Sequence, residues 1–447
     1  MSLQRTLGDV ADVVAGVGFP KDMQGDATGE VPVFKVGDIS NAVKSGTRYL
    51  RRSPNNLSKE AARKLSTKLM PTSTIVFAKI GEGLKLNRRA VLSQPSLVDN
   101  NVMGLIARSN LVTPDYLYWF MQTVELGDLS RATAVPSVRK SDVVDIQIPV
   151  PELGEQAEIV AEIEKQFSRL DEAVANLKRV EANLKRYKAA VLKAAVEGRL
   201  VPTEAELARK ERRDYETGEQ LLQRILETRR KEWKGKGKYT EPAAPDMADL
   251  PALPDGWLWA SVDQLAEVVR GASPRPAGDP KYFGGDIPWI TVGTVTSAKG
   301  QFVRSAKETV TTLGKDNSRF IEAGTLLLSN SGATLGVPKI SLISGCINDG
   351  VAALFVHNES IKLYLLHVFD SLTEALRRIN QGAAQPNLNT AIIRDIKVAL
   401  PPEAELQRLL EEIDRRVSIV QGIEGQVDLN LARAERMRQS ILGQAFG

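Results

Sequence analysis

The chain has 447 residues, of which 43% are hydrophobic and 26% charged, and its net charge is +4. That length predicts two or three domains, and the balance excludes a disordered or low-complexity chain. Cys346 is the sole cysteine, which excludes an internal disulfide, and so small a net charge does not by itself point to nucleic acid.

In chain order, residues 1–10 already read as folded sequence. No long uncharged apolar stretch occurs, so the expectation is a cytoplasmic protein with no membrane span. Strands are predicted at 31–36 and 74–78 and a helix at 116–123. The loops between them carry Arg48, Arg51 and Arg52, then Lys79, Lys85, Asn87, Arg88 and Arg89.

Residues 155–196 contain neither proline nor glycine. Ile163, Leu170, Leu177, Leu184 and Val191 recur every seven residues, with Phe167 and Val174 four places after the first two. This heptad pattern predicts a helix of about 42 residues and roughly 60 Å, with a seam that a single helix cannot bury. Glu181 and Lys188 interrupt the seam. Three readings stay open for them: opposite-charge pairing across an antiparallel seam, a partner's helix, or snorkelling to solvent.

Residues 201–250 are charged and then rich in Pro and Ala, which predicts a short helix at 204–232 and then a linker. The basic run 229–238 suits either phosphate contact or a solvated linker. Strands follow at 287–292 and 325–329, and a helix at 364–372. Cys346 reads as part of a buried strand. The loops here carry Lys299, Arg304, Asn330, Ser331, Thr334, Lys339, Gln385, Asn387 and Asn389. A second heptad run closes the chain, with Ile413, Val417, Val420, Val427, Leu431 and Ile441 on its seam and Glu424 and Arg438 as polar members. Gly422 and Gly425 are expected to weaken this helix near its middle.

The two halves repeat. Pro136 to Ile146 resembles Pro386 to Ile396 at an offset of 250 (386 − 136), and the offset holds through Arg186/Arg436 to Ala195/Ala445. Upstream it drifts: Gly16 aligns with Gly271, and Tyr116 with Tyr364. Loops accept insertions cheaply, whereas one extra residue rotates a packed helix out of register. The unit is therefore a variable globular domain followed by a rigid helix, made twice.

Catalytic motifs are missing. The two histidines, His357 and His367, lie in no metal-binding spacing, and no phosphate-binding glycine loop or Asn/Asp-Pro-Pro-aromatic motif occurs. The pattern favours a binding protein. Arg and Lys suit phosphate and guanine, and Asn and Gln suit adenine, so the loop residues above are candidate DNA-binding side chains.

Residues 250–257 (LPALPDGW), 149–156 (PVPELGEQ), 400–407 (LPPEAELQ), 184–200 (LKRYKAAVLKAAVEGRL) and 438–447 (RQSILGQAFG) resemble the recurrent segments of the specificity subunits of type I restriction-modification systems. Leu406 departs from them, standing where Gln is usual. The resemblance implies an α+β fold of two target-recognition domains (1–150 and 251–400). Two long antiparallel coiled-coil helices (151–200 and 401–447) would separate them, with a short helix and linker at 201–250. It implies a bipartite double-stranded DNA target with a non-specific gap. Two modification subunits would carry the adenine methyltransferase and S-adenosylmethionine, and two restriction subunits the ATP- and Mg-dependent motor and endonuclease. No cofactor or metal is expected on this chain. Half-sites one helical turn apart, roughly 34 Å, would put both domains on one face of DNA. The alternative is a self-contained DNA-binding regulator with duplicated domains.

Overall fold

The computed structural model describes residues 3–130, 136–233, 238–248, 250–379 and 387–447. They form two compact units, Met1–Arg179 with Val427–Gly447, and Val180–Gln426. The division falls inside both long helices, so each helix gives part of its length to each unit.

The first unit opens on strand Leu3–Thr6, paired antiparallel with Gln147–Val150. Thr6 ends the strand by capping the next turn. Its hydroxyl accepts from the Asp9 amide and the Asp9 carboxylate accepts from the Thr6 amide, satisfying two donors that a helix start leaves open. A five-stranded sheet follows in the order Ala11–Ala15, Val102–Ala107, Ile75–Ala78, Arg89–Leu92, Tyr49–Leu50. A second sheet has the order Asn56–Leu57, Val31–Phe34, Leu97–Val98. Strand Ile75–Ala78 is apolar throughout because both its faces are covered. Ile75 and Phe77 share a core with Tyr116 and Leu117 of helix Pro114–Met121, while Val76 packs with Phe34 and Ile39.

The second unit repeats the plan. Leu258–Ser261 pairs with Lys397–Leu400, and Ser261 caps the following turn with Gln264. Its five-stranded sheet, Glu267–Arg270, Val351–Phe355, Leu326–Ser329, Pro338–Ser341, Phe302–Val303, matches the first strand for strand. The companion sheet, Glu308–Val310, Phe283–Ile290, Gly345–Ile347, Arg319–Ile321, gains one strand. Cys346 is buried in it. The helix expected at 364–372 is longer, Glu359–Ile379.

The long helices run Leu153–Val196 and Glu403–Phe446, 44 residues each. In the first unit Ile163 and Phe167 pack with Leu442, and Arg438 pairs with Asp171 while lying over the Phe167 ring. In the second, Leu192 and Ala195 pack with Leu409, Ile413 and Val417. Numbers rise on one helix as they fall on the other, so the pairing is antiparallel. Ile163, Phe167, Leu170, Val191, Ile413, Val417, Val420 and Val427 are buried, and Val174, Leu177, Leu184, Leu431 and Ile441 are half-buried. The polar seam residues find partners: Lys188 reaches Asp370 at 3.0 Å, and Glu181 accepts from Lys185, which also senses Glu424.

Two expectations change. The helix does not weaken at Gly422 and Gly425: it runs unbroken, because both are exposed with open space around them and cost only about 1 kcal/mol each against alanine. The segment expected as one helix at 204–232 is two, Glu204–Glu211 and Gly218–Glu232. Arg212, in the left-handed region at φ 56°, ends the first, and Thr217 caps the second with Gln220. Leu221, Leu222 and Ile225 enter the core of the second unit with Val262, Leu265 and Ile361. Arg229 donates to the Asp263 carbonyl and Arg230 pairs with Glu241, so these two members of the basic run are held by protein.

The helix openings explain the departure at Leu406. Gln156 is fully buried and staples the first long helix to its domain: its amide donates to the Leu111 and Pro151 carbonyls, and its oxygen accepts from the Thr113 amide. In the second unit Leu406 is apolar core instead, and Glu405 takes the polar role, accepting from the Glu204 amide at 2.8 Å and the Trp257 indole at 3.0 Å. Burial pushes the Glu405 carboxyl up to about 7. The neighbouring Glu204, although burial opposes it, is held below the usual range by Arg213 and Arg408.

A raised carboxyl means that the folded chain binds more protons than the unfolded one between the ordinary value of 4.5 and about 7. Stability from this group is therefore fully present below the lower value and lost as pH rises through the upper one. Thermal unfolding of the second unit should accordingly fall between pH 5 and pH 8, and Glu405→Gln should flatten that fall. Parallel profiles for the two proteins would refute the assignment.

Candidate nucleic-acid interface

The candidate side chains separate into struts and free groups. Arg89 is 2% exposed. It donates to the Asn87 carbonyl at 2.7 Å, to the Asn87 side chain at 2.9 Å and to the Val124 carbonyl, and burial depresses it to about 10, still cationic at neutral pH. Asn87, at φ 48°, completes the cluster by donating to Val124 and accepting from the Leu126 amide. Arg48 bridges Asp115 and Glu164 at 3.0 Å each and lies over Tyr49, Tyr118 and Trp119, tying the domain to the first long helix beside a cleft of about 740 Å³. These three are corrected from DNA candidates to internal ties. A basic residue type in a polar loop does not reveal whether its charge turns inward.

Lys339 is corrected likewise, whereas Asn389 is exposed and stays a candidate although its side-chain oxygen is in use. Lys339 donates to the Gly300 carbonyl, and burial pushes its amine down. Asn389 caps helix Thr390–Arg394 by accepting from the Ile392 amide. Lys85 is exposed but paired with Glu82 at 2.7 Å. Ser331 forms an isolated bridge with Asn387, Thr334 is exposed, and Gln385 lies outside the described residues.

Arg51, Arg52, Arg88, Lys79, Lys299 and Arg304 remain without an ion pair among the described residues. Their placement repeats. Arg51 directly follows strand Tyr49–Leu50, and Arg304 directly follows strand Phe302–Val303. Each of these edge strands pairs parallel with its neighbour, Tyr49 with Val91 and Phe302 with Ile340. Both arginines are exposed, and Arg304 rests on the Phe302 ring at 5.5 Å. Beside it, Lys299, Lys307, Thr291, Thr294 and Ser297 line an open cleft of about 510 Å³. Lys307 also borders a second cleft of about 580 Å³ with Arg275, Trp289 and Asn348. Sequence reasoning missed Lys307 and Arg275. The alignment of the halves was the available signal, but it drifts in this region.

Arg275 pairs with Asp349 at 3.6 Å, but Lys299, Arg304 and Lys307 have no ion pair among the described residues. These cations, with the hydroxyl donors beside them, suit an extended polyanion, since they give charge and hydrogen bonds without enclosing a small molecule. Among the described residues no cluster of three or more His, Cys, Asp or Glu could hold a metal, and no helix is long and apolar enough to cross a membrane.

The architecture is that of a duplicated recognition protein, two α+β modules each clasping part of a shared pair of antiparallel helices. The family described as type I restriction modification DNA specificity domain matches residues 3–185 and 254–427, and the chain belongs to it. It is 22% identical to the EcoDI specificity subunit of Escherichia coli over 75% of this chain and 70% of that one. It is 21% identical to the StySPI specificity subunit of Salmonella potsdam over 98% and 86%. Among solved structures, it resembles the HsdS subunit from Thermoanaerobacter tengcongensis (TM-score 0.53, 18% identity, 99% and 96% covered). It also resembles a chain from a study of complex assembly and conformational transition of the type I system (TM-score 0.64, 18% identity, 99% and 97% covered).

Proposed function

We propose that each unit reads one half of a split double-stranded DNA target, with Arg51 and Arg52 on the phosphates of one half and Lys299, Arg304 and Lys307 on those of the other. The equivalent placement of Arg51 and Arg304 after matching edge strands carries this reading. Their edge strands hold the same place in the two sheet orders while the loops around them differ in sequence, which suits common phosphate contacts beside unlike base contacts. The chain supplies recognition and no catalysis. Methyl transfer belongs to two modification subunits that bind S-adenosylmethionine, and ATP- and Mg-driven cleavage to two restriction subunits, the whole acting in the cytoplasm.

The double variant Lys299→Ala/Arg304→Ala, assembled with the modification subunits, should bind specific DNA less tightly. The slope of log affinity against log salt should become shallower by about 2, one for each lost phosphate contact, with the preferred sequence unchanged. An unaltered slope would remove these residues from the interface. Equally tight specific binding by the chain alone would favour a self-contained regulator.

A further inference from the structure

One buried side chain in the second unit is left chemically idle by the fold. Asn330 is 0% exposed, and neither its amide nitrogen nor its carbonyl oxygen has a hydrogen-bond partner among the described residues. Its backbone, in contrast, is locked: its amide donates to the Gly350 carbonyl at 2.9 Å, and its carbonyl accepts from the Leu388 amide at 2.7 Å. The side-chain amide oxygen of Asn348 is unpartnered too, and a Cβ added to Gly350 would lie 2.7 Å from the Ser331 hydroxyl and 3.5 Å from the Asn348 amide nitrogen.

The first unit holds Lys79 in the same frame. Its amide donates to the Asn101 carbonyl at 2.9 Å, and its carbonyl accepts from the Val138 amide at 2.9 Å. The segments on either side also correspond, Ile80 bridging Ser137 as Ser331 bridges Asn387. Lys79 is half-buried and has no ion pair among the described residues. Two domains thus fix one backbone position identically and fill it with different, unengaged polar side chains. Burying a carboxamide without partners destabilises a fold, and an apolar side chain of similar size would relieve that cost. Its retention fits a group whose partner arrives with the ligand.

Resting on the split-target reading above, we propose that this position is a base-reading site in each unit. The Asn330 carboxamide pairs with the N6 and N7 edge of an adenine in the second half-site, and the Lys79 ammonium with the O6 and N7 acceptors of a guanine in the first. A carboxamide offers one donor and one acceptor side by side, which matches adenine, whereas an ammonium offers donors alone, which matches guanine. Reaching Asn330 requires it to become exposed when DNA is bound.

The test uses the chain assembled with its modification subunits and a randomised duplex pool, with the bound DNA sequenced. Asn330→Leu should unfold at the same or a higher temperature than the unaltered protein. It should keep the first half-site and lose about tenfold in preference at one A·T pair of the second. Asn330→Lys should shift that pair towards G·C. An unchanged second half-site with either variant, a change confined to the first half-site, or loss of the second unit's thermal transition in both variants would overturn the proposal. If the unaltered complex selects no split sequence, the fault lies with the split-target reading instead.

Discussion

Replacing Gly16 or Gly271 by alanine is expected to unfold the unit that contains it. A Cβ on Gly16 would lie 1.9 Å from the Asp99 carbonyl oxygen, and one on Gly271 would lie 2.1 Å from that of Asn348. Neither oxygen can retreat. Gly16 donates to Val102 and Val17 to Val98, while Gly271 donates to Val351 and Ala272 to Ile347, so both sides of each approach are pinned by backbone hydrogen bonds. Ordinary overpacking costs about 1–3 kcal/mol by shifting side chains. Here the obstacle is backbone, and the loss should exceed about 4 kcal/mol, the range reserved for a named structural failure. Gly18 is the control: nothing lies within 4 Å of its added Cβ, so Gly18→Ala should stay within about 0.5 kcal/mol. Hydrogen exchange resolved by unit is the measurement. Gly16→Ala should deprotect the first five-stranded sheet and spare the second, and Gly271→Ala the reverse. Retained protection in both sheets would show that the strands can part without cost.

The second large effect is at Arg89. Arg89→Ala removes three hydrogen bonds, leaves the Asn87 and Val124 carbonyls without that donor, and opens a cavity between strand Arg89–Leu92 and the Leu126 turn. Deleting a large buried side chain and leaving its neutral acceptors unpaired costs roughly 3–5 kcal/mol. Arg88→Ala, one residue earlier and on a half-buried side chain, should leave stability within about 0.5 kcal/mol and weaken only the first half-site. Chemical denaturation of each single variant separates the two roles. Equal stabilities would return Arg89 to the surface.

The contrast between Arg88 and Arg89 marks how far the sequence could be read. The duplication, the heptad seam and the antiparallel pairing follow from periodicity, because a packed helix punishes every insertion, and so Ile163 and Ile413 align at a constant offset. Gly16 and Gly271 align only through the drifting upstream match, and what makes them glycine, a carbonyl under 2.2 Å from the missing Cβ, needs the tertiary fold. Loop side chains carry no such periodicity. Arg48, Asn87, Arg89 and Lys339 have the composition of a DNA-contacting set and use it inside the protein. Gly422 misled in the opposite direction: a helix former's weakness matters little where a neighbouring helix supplies the packing.

The docking of helix Gly218–Glu232 bears on how such modules can be exchanged. Leu221, Leu222 and Ile225 are core to the second unit, and Glu232 bonds His357 at 2.6 Å. A graft that begins at Leu258 would leave the recipient's own helix against a foreign surface and strip the donor of its cover. The exchangeable unit is therefore larger than the two sheets of the second unit. Its upstream cut belongs near residue 201, where the first long helix has ended, and a recombination event that falls further downstream should yield an insoluble chimera.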